Sequence, residues 1–270
     1  MPELLTLSNG AEVSIFIPKI AEQQKYLLYF HGGGLVYGSK NDLPEALKSI
    51  FLSKGYTVLA IDYLLAPNSS LKEILQQLQL TFLELKERRF QDAPYSFCGR
   101  SAGSYLMLLL TSYLQQQDAQ LPDKLINFYG YFDLNFITNE RKLTDTVITE
   151  EMIQTINQTT PQWDDPLLQR YLLYLYAIQN NRLESFYGLE RSETKQFSLS
   201  SVELQHFPKI FSTASTDDLE VPFKYSKQLA RFIPNSKFIP VYSLEHDFLK
   251  QMEEEQVKKA LQHLDTWLDS

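Results

Sequence analysis

The chain has 270 residues, 44% of them hydrophobic and 13% aromatic, enough apolar side chain to bury a large core and too much for a disordered, highly charged polypeptide. A net charge of -8, from 25 Lys and Arg against 33 Asp and Glu, has the wrong sign for neutralising phosphate backbones, so nucleic acid is excluded as an expected partner. No apolar run reaches the roughly 18 residues that cross a bilayer, residues 1–10 carry no signal-peptide pattern, and the one cysteine, Cys98, has no internal disulfide partner; a cytoplasmic protein with no membrane insertion is expected.

In chain order, Leu4 to Leu7 and the alternating Glu12 to Ile17, separated by Asn9-Gly10, predict an N-terminal β-hairpin. The pattern then changes to short, mostly apolar runs suited to strands buried on both faces of a parallel sheet. These are Lys25 to Phe30, Tyr56 to Ile61, Tyr95 to Cys98, Leu125 to Tyr129, Lys209 to Thr213 and Lys237 to Val241. Helical spacing lies between them: Leu71, Leu75, Leu78, Phe82 and Leu85 on one face, Tyr105, Leu108, Leu109 and Ser112 on another, and a terminal helix over about Glu254 to Leu268. The alternation predicts an α/β fold: an eight-stranded, mainly parallel sheet with helices on both sides. At about 150 residues per domain the length suits one such domain with a large insertion.

That insertion is expected at 131–205, after the sixth strand, as a helical cap. Helices are predicted from Glu150 to Ile156, headed by Thr149, and from Leu167 to Ile178, with Asp165-Pro166 as cap and first turn. Its aromatic residues, among them Trp163, Tyr171, Tyr174 and Tyr187, can pack on the body or line a pocket.

Six of only ten glycines fall in two short segments, His31-Gly32-Gly33-Gly34 with Gly38, and Gly99-Arg100-Ser101-Ala102-Gly103. A G-x-S-x-G between a predicted strand and helix places the serine on a sharp turn with its hydroxyl exposed. Ser101 is therefore the candidate nucleophile, and the N–H of Ala102 at the helix start can face a developing oxyanion. A hydroxyl needs a base at neutral pH, and four histidines are on offer. For the chain order Ser, acid, His the base must come late: His31 precedes the serine, His263 lies on the polar side of the last helix, and His206 ends the insertion. His246, between the last strand and last helix, remains. The acid should follow the preceding strand, where Asp217, Asp218 and Glu220 crowd a helix that Pro222 is expected to open; spacing alone does not choose between Asp217 and Asp218. The first glycine loop can aim further N–H groups at the same oxygen, and it lacks both the P-loop and the dinucleotide spacing.

Together these motifs resemble the α/β-hydrolase superfamily over essentially the whole length, and within it the bacterial esterase and lipase group related to hormone-sensitive lipase. The likeness rests on His31 to Gly34, Asp62-Tyr63-Leu64-Leu65-Ala66-Pro67 against the family's D-Y-R-L-A-P, Gly99 to Gly103, Asp218 through Val221-Pro222, and His246-Asp247-Phe248. The resemblance implies Asp218 as the acid, three residues before Val-Pro, and Gly33, Gly34 and Ala102 as oxyanion-hole donors. It implies a cofactor-independent serine carboxylesterase with no metal, acting on small-molecule esters with short-chain or aromatic acyl groups, and it admits a homodimer. Leu64, Asn68 and Ser104 depart from the family's arginine, glutamate and glycine, and the cap follows the sixth strand rather than growing from the amino terminus. The same triad serves amide cleavage in related arylformamidases and peptidases. A non-catalytic small-molecule binding protein on this scaffold would be expected to have lost a triad member. With an unperturbed histidine, activity should fall as pH drops past about 6.5.

Overall fold

In the computed structural model, which describes residues 2–190 and 192–270, the apolar runs form one eight-stranded sheet. Met1, at the head of the segment read for a signal peptide, and Arg191, within the expected insertion, lie outside the described residues. The strands are β1 (Glu3–Thr6), β2 (Glu12–Phe16), β3 (Lys25–Phe30), β4 (Tyr56–Ile61), β5 (Tyr95–Arg100), β6 (Leu125–Phe128), β7 (Ile210–Ser215) and β8 (Lys237–Val241). Their order is β1-β2-β4-β3-β5-β6-β7-β8. The hairpin β1–β2 joins β4 antiparallel, and every pairing from β4 to β8 is parallel.

Burial on both faces explains the unbroken apolar runs. Along β3, Tyr26, Leu28 and Phe30 enter one core while Leu27 and Tyr29 enter the other. The first core is covered by α2 (Leu71–Leu85), α3 (Ala102–Gln116) and α8 (Lys224–Phe232), through residues such as Leu78, Leu106 and Leu229. The second is covered by α1 (Glu45–Ser53) and α9 (Glu255–Trp267), through Phe51, Leu261 and Trp267. Helix α2 begins at a reciprocal Ser70–Glu73 capping box, which satisfies two of the main-chain donors left over at a helix start. Cys98 faces the second core, where burial raises its thiol pKa far above the ordinary range, so it stays an unreactive thiol.

Between β6 and β7 the described residues carry short α-helices, α4 (Glu150–Ile153), α5 (Tyr171–Gln179), α6 (Leu183–Phe186) and α7 (Ser201–Leu204), and a 3-10 turn at Thr194–Phe197. Several boundaries differ from expectation. Helix α5 starts at Tyr171 rather than Leu167, because Asp165 spends its carboxylate on the N–H groups of Gln169 and Arg170, and Leu168 takes a left-handed φ of 55° that no helix can pass through. Helix α4 ends at Ile153, three residues early. Pro222 sits in a turn, its carbonyl accepting from Tyr225 N–H, and α8 begins at Lys224. Strand β5 runs on to Arg100, and α1 was not anticipated. Among the described residues no helix is long and apolar enough to cross a membrane.

Candidate active site

Strand β5 delivers Ser101 at its C-terminal end, and the turn into α3 holds that residue at φ 50°, ψ -119°. For a residue with a Cβ this is a strained conformation, of order 1–3 kcal/mol, and the surrounding packing enforces it. At Gly103 a Cβ would lie 2.2 Å from the main-chain oxygens of both Phe30 and His31, so only glycine lets α3 start this close to β3. The side chain of Ser101 is thereby pushed to the edge of the sheet, with the residue only 7% exposed.

Three side chains far apart in sequence meet there. His246, on the loop after β8, has Nε2 at 2.8 Å from Ser101 Oγ and Nδ1 at 2.6 Å from Asp218 Oδ2. A carboxylate only accepts, so Nδ1 bears the proton, and in the neutral ring Nε2 accepts from the serine hydroxyl. Asp218 is held in turn, its Oδ1 accepting from the N–H groups of Glu220 and Val221, each at 2.9 Å. Asp217 instead turns to solvent and accepts from Thr216 Oγ1. That separation of two adjacent carboxylates is what spacing alone could not supply.

Burial pulls the His246 pKa down, but Asp218 and Glu220 outweigh it, and the imidazole is pushed up to about 9. The pH expectation built on an unperturbed ring is therefore corrected upward. His31 does not approach Ser101 through its ring. It is buried, stacked on Tyr63 at 4.0 Å, with Nδ1 at 2.7 Å from Gly32 O. His206 and His263 are exposed.

The loop after β3 brings Gly33 and Gly34, with φ of 110° and 56°, beside the same hydroxyl. Among the described residues no hydrogen bond claims the N–H of Gly33, Gly34 or Ala102. The Asp62-to-Pro67 segment fixes this loop: Tyr63 Oη donates to His31 O at 2.8 Å, Ala66 N–H donates to Leu35 O at 2.8 Å, and Asp62 Oδ1 accepts from Lys40 N–H at 2.7 Å. A buried Lys40–Asp62 ion pair closes the arrangement.

The sequence reading gave no role to Arg100. Its guanidinium, 4% exposed, forms an ion pair with Asp247 and lies 3.3 Å from Asp42. It also donates to Tyr129 Oη at 2.8 Å, Tyr29 Oη at 3.1 Å and Asp42 O at 2.8 Å. Tyr129 completes the cluster by donating to Asp247 at 2.6 Å and setting its ring edge-on to His246. Burial opposes ionisation of Asp247, but Arg100, Lys250 and the Tyr129 hydroxyl hold its pKa well below the usual carboxylate range. This cluster ties the loop bearing His246 to the strand bearing Ser101. The signal was present in the sequence: an arginine ending an otherwise apolar buried strand demands a carboxylate. Glu220, named in the sequence only as one of three carboxylates near the start of α8, lines the cavity and accepts from Tyr174 Oη at 3.2 Å.

Two spaces meet at Ser101. The larger, about 390 Å³, is walled by His246, Tyr37, Tyr129 and Tyr171, and the smaller, about 10 Å³, by Gly34, Tyr174 and Leu183. Among the described residues no group of three His, Cys, Asp or Glu side chains is arranged to hold a metal ion.

A family model described as alpha/beta hydrolase fold matches residues 27–188, a span that takes in Ser101 and the first glycine loop and stops short of Asp218 and His246. The chain is similar to a solved alpha/beta hydrolase superfamily protein from Enterococcus faecalis, with 50% identity and a TM-score of 0.96, covering 99% of this chain and 98% of that one. Its fold also matches carboxyl esterase 2 from Tuber melanosporum, at 17% identity and a TM-score of 0.71 over 99% of this chain and 85% of the other. Among curated proteins it is similar to kynurenine formamidase of Danio rerio, 24% identical over 148 residues. That stretch is 54% of this chain and 50% of the relative, so the match spans about half the relative's length.

Proposed function

From a chain that belongs to the α/β-hydrolase family, we propose a serine hydrolase that cleaves small carboxylic esters through an acyl-enzyme, without a cofactor. The observation that carries this reading is the hydrogen-bonded line Ser101–His246–Asp218 beside three unclaimed N–H groups. In the proposed reaction His246 Nε2 takes the hydroxyl proton as Ser101 Oγ attacks the ester carbonyl. Negative charge then gathers on the carbonyl oxygen, within reach of the N–H groups of Gly33, Gly34 and Ala102. Removal of one such donor in a serine hydrolase typically costs ~2.7–4 kcal/mol of transition-state stabilisation. His246 returns the proton to the departing alcohol, and water, activated by the same ring, releases the acid. Asp218 keeps Nδ1 protonated throughout and stabilises the imidazolium formed at each step.

The esterase neighbour in fold agrees with cleavage at oxygen. The likeness to a formamidase favours a second reading, in which the same residues cleave an amide. The test is turnover of p-nitrophenyl acetate together with covalent labelling by a fluorophosphonate. Both should be present in the native protein and absent in Ser101→Ala; labelling that persists in the variant refutes the assignment of Ser101 as nucleophile.

A further inference from the structure

The two spaces at Ser101 differ in which reacting groups they touch. Both are lined by Ser101, but only the larger contains His246, and only the smaller contains Gly34. A leaving group has to receive its proton from His246 Nε2, so it must depart on the side of the imidazole. The acyl chain, bonded to the same carbonyl carbon, then points the other way, into the smaller space.

That space measures about 10 Å³, at the lower limit for a single water molecule. Its walls include the buried Tyr131, Tyr174, Leu183, Tyr187 and Val221, and the half-buried Arg141 reaches one side of it. Tyr174 presses on Gly34 so closely that a Cβ there would lie 2.2 Å from its ring. Tyr187 Oη donates to Gly34 O at 3.0 Å, and Tyr131 stacks on Tyr105 at 4.8 Å. The opposite space, about 390 Å³, is open and bordered by Tyr37, Tyr129 and Tyr171, with Glu220, Glu245 and Lys250 on its rim.

We infer that the substrates are formyl or acetyl derivatives of large, ring-bearing alcohols or amines: the acyl side closes after two carbons, and selectivity for the leaving group lies on the tyrosine-lined side. The inference rests on the serine-hydrolase reading and narrows it, since short-chain or aromatic acyl groups were expected and an aromatic acyl group does not fit. An extra methylene in a filled, mainly apolar pocket is worth about 10–200-fold in kcat/KM. Two extra methylenes, from acetyl to butyryl, should therefore cost at least about 100-fold.

The experiment uses p-nitrophenyl acetate, butyrate and octanoate, which share one leaving group, on the intact protein and on Leu183→Ala and Val221→Ala. The native protein should favour acetate over butyrate by at least about 100-fold, and each variant should raise the butyrate-to-acetate ratio at least tenfold. The ratio is internal to each preparation, so partial unfolding of one variant leaves it readable, and the two substitutions open the wall from different segments. Acetates of larger aryl alcohols, such as 2-naphthyl acetate, should be hydrolysed within about tenfold of the p-nitrophenyl ester. Butyrate turned over as fast as acetate, with both activities lost in Ser101→Ala, overturns the inference and leaves the hydrolase reading intact. So does a native preference that neither variant relaxes, because the small space would then not hold the acyl group. Absence of any Ser101-dependent turnover of aryl acetates and formanilides overturns the hydrolase reading and this inference with it.

Discussion

Arg100→Met tests whether the buried cluster fastens the His246 loop to the sheet. The substitution keeps a long apolar stem and deletes the charge, leaving Asp247 and Asp42 facing a neutral side chain. Breaking a buried ion pair by removing one partner costs about 3–5 kcal/mol, more than the pair contributes when compared with an apolar replacement. Here the low end applies: Asp247 and Asp42 are 27% and 28% exposed, and Asp247 keeps Lys250 at 2.9 Å and Tyr129 at 2.6 Å. About 3 kcal/mol is expected, a fall in Tm of about 5–6 °C for a chain of this size. Asp247→Asn alone leaves Arg100 with Asp42 and two tyrosine hydroxyls, and about 2 kcal/mol is expected. If the two side chains act mainly through each other, the double variant should lose little more than Arg100→Met, giving a coupling energy of about 2 kcal/mol. Urea unfolding of the four proteins at pH 7 measures it. Single-variant losses that add to within about 0.5 kcal/mol would refute the argument, because they would mean that the two charges are not energetically paired.

Three further outcomes follow from the site. Because the base must be neutral and Asp218 and Glu220 hold the His246 pKa up at about 9, kcat/KM should rise with pH through a midpoint above 6.5, whereas a plateau already reached by pH 7 contradicts the reasoning. Asp218→Asn removes one of those carboxylates and the partner that fixes the tautomer, so kcat should drop by about 10⁴ and the midpoint should move down. Gly103→Ala puts a Cβ 2.2 Å from two main-chain oxygens that no rotamer change can relieve. A loss of at least about 3 kcal/mol, or failure to fold, is expected by circular dichroism and thermal unfolding, and a Tm unchanged within about 2 °C would show that the elbow has room.

The strands were legible because burial on both faces writes itself as a continuous apolar run, and β3 and β4 needed no tertiary information to be found. The elbow was legible because glycine is scarce in this chain and Gly99 and Gly103 bracket Ser101 between a strand and a helix. What stayed hidden was set by distant contacts. The choice of Asp218 over Asp217 depends on which carboxylate captures the N–H groups of Glu220 and Val221, a property of the turn's backbone rather than of residue type. The role of Arg100 depends on Asp42, Tyr129 and Asp247, brought together only by sheet order. The start of α5 was misplaced because Asp165-Pro166 satisfies the sequence rule for a helix start while Leu168 reverses the chain two residues later.

A narrow acyl space limits substrates only if its wall cannot swing away, and the wall belongs largely to the segment between β6 and β7. Arg170, just before α5, bears on this. Its buried guanidinium donates to Val36 O and Ala66 O, both at 2.7 Å, to Asn68 Oδ1 at 2.6 Å and to Asn157 O at 2.8 Å. Three of those oxygens lie on the glycine loop's flank and the segment after β4, and one lies between β6 and β7, so a single side chain joins three parts of the molecule. Main-chain bonds run alongside, from Leu65 N–H to Gln162 O and from Leu71 N–H to Tyr187 O, each at 2.8 Å. Asn68, where the resemblance leads one to expect a glutamate, gives Arg170 a neutral acceptor, and the burial cost of the cation is met by four oxygens instead of an ion pair. Opening the wall would break these bonds together and strand a buried charge. The segment between β6 and β7 is therefore joined to the loops after β3 and β4 near Gly34, and on the proposed reading acyl selectivity follows from fixed packing rather than from closure of a lid.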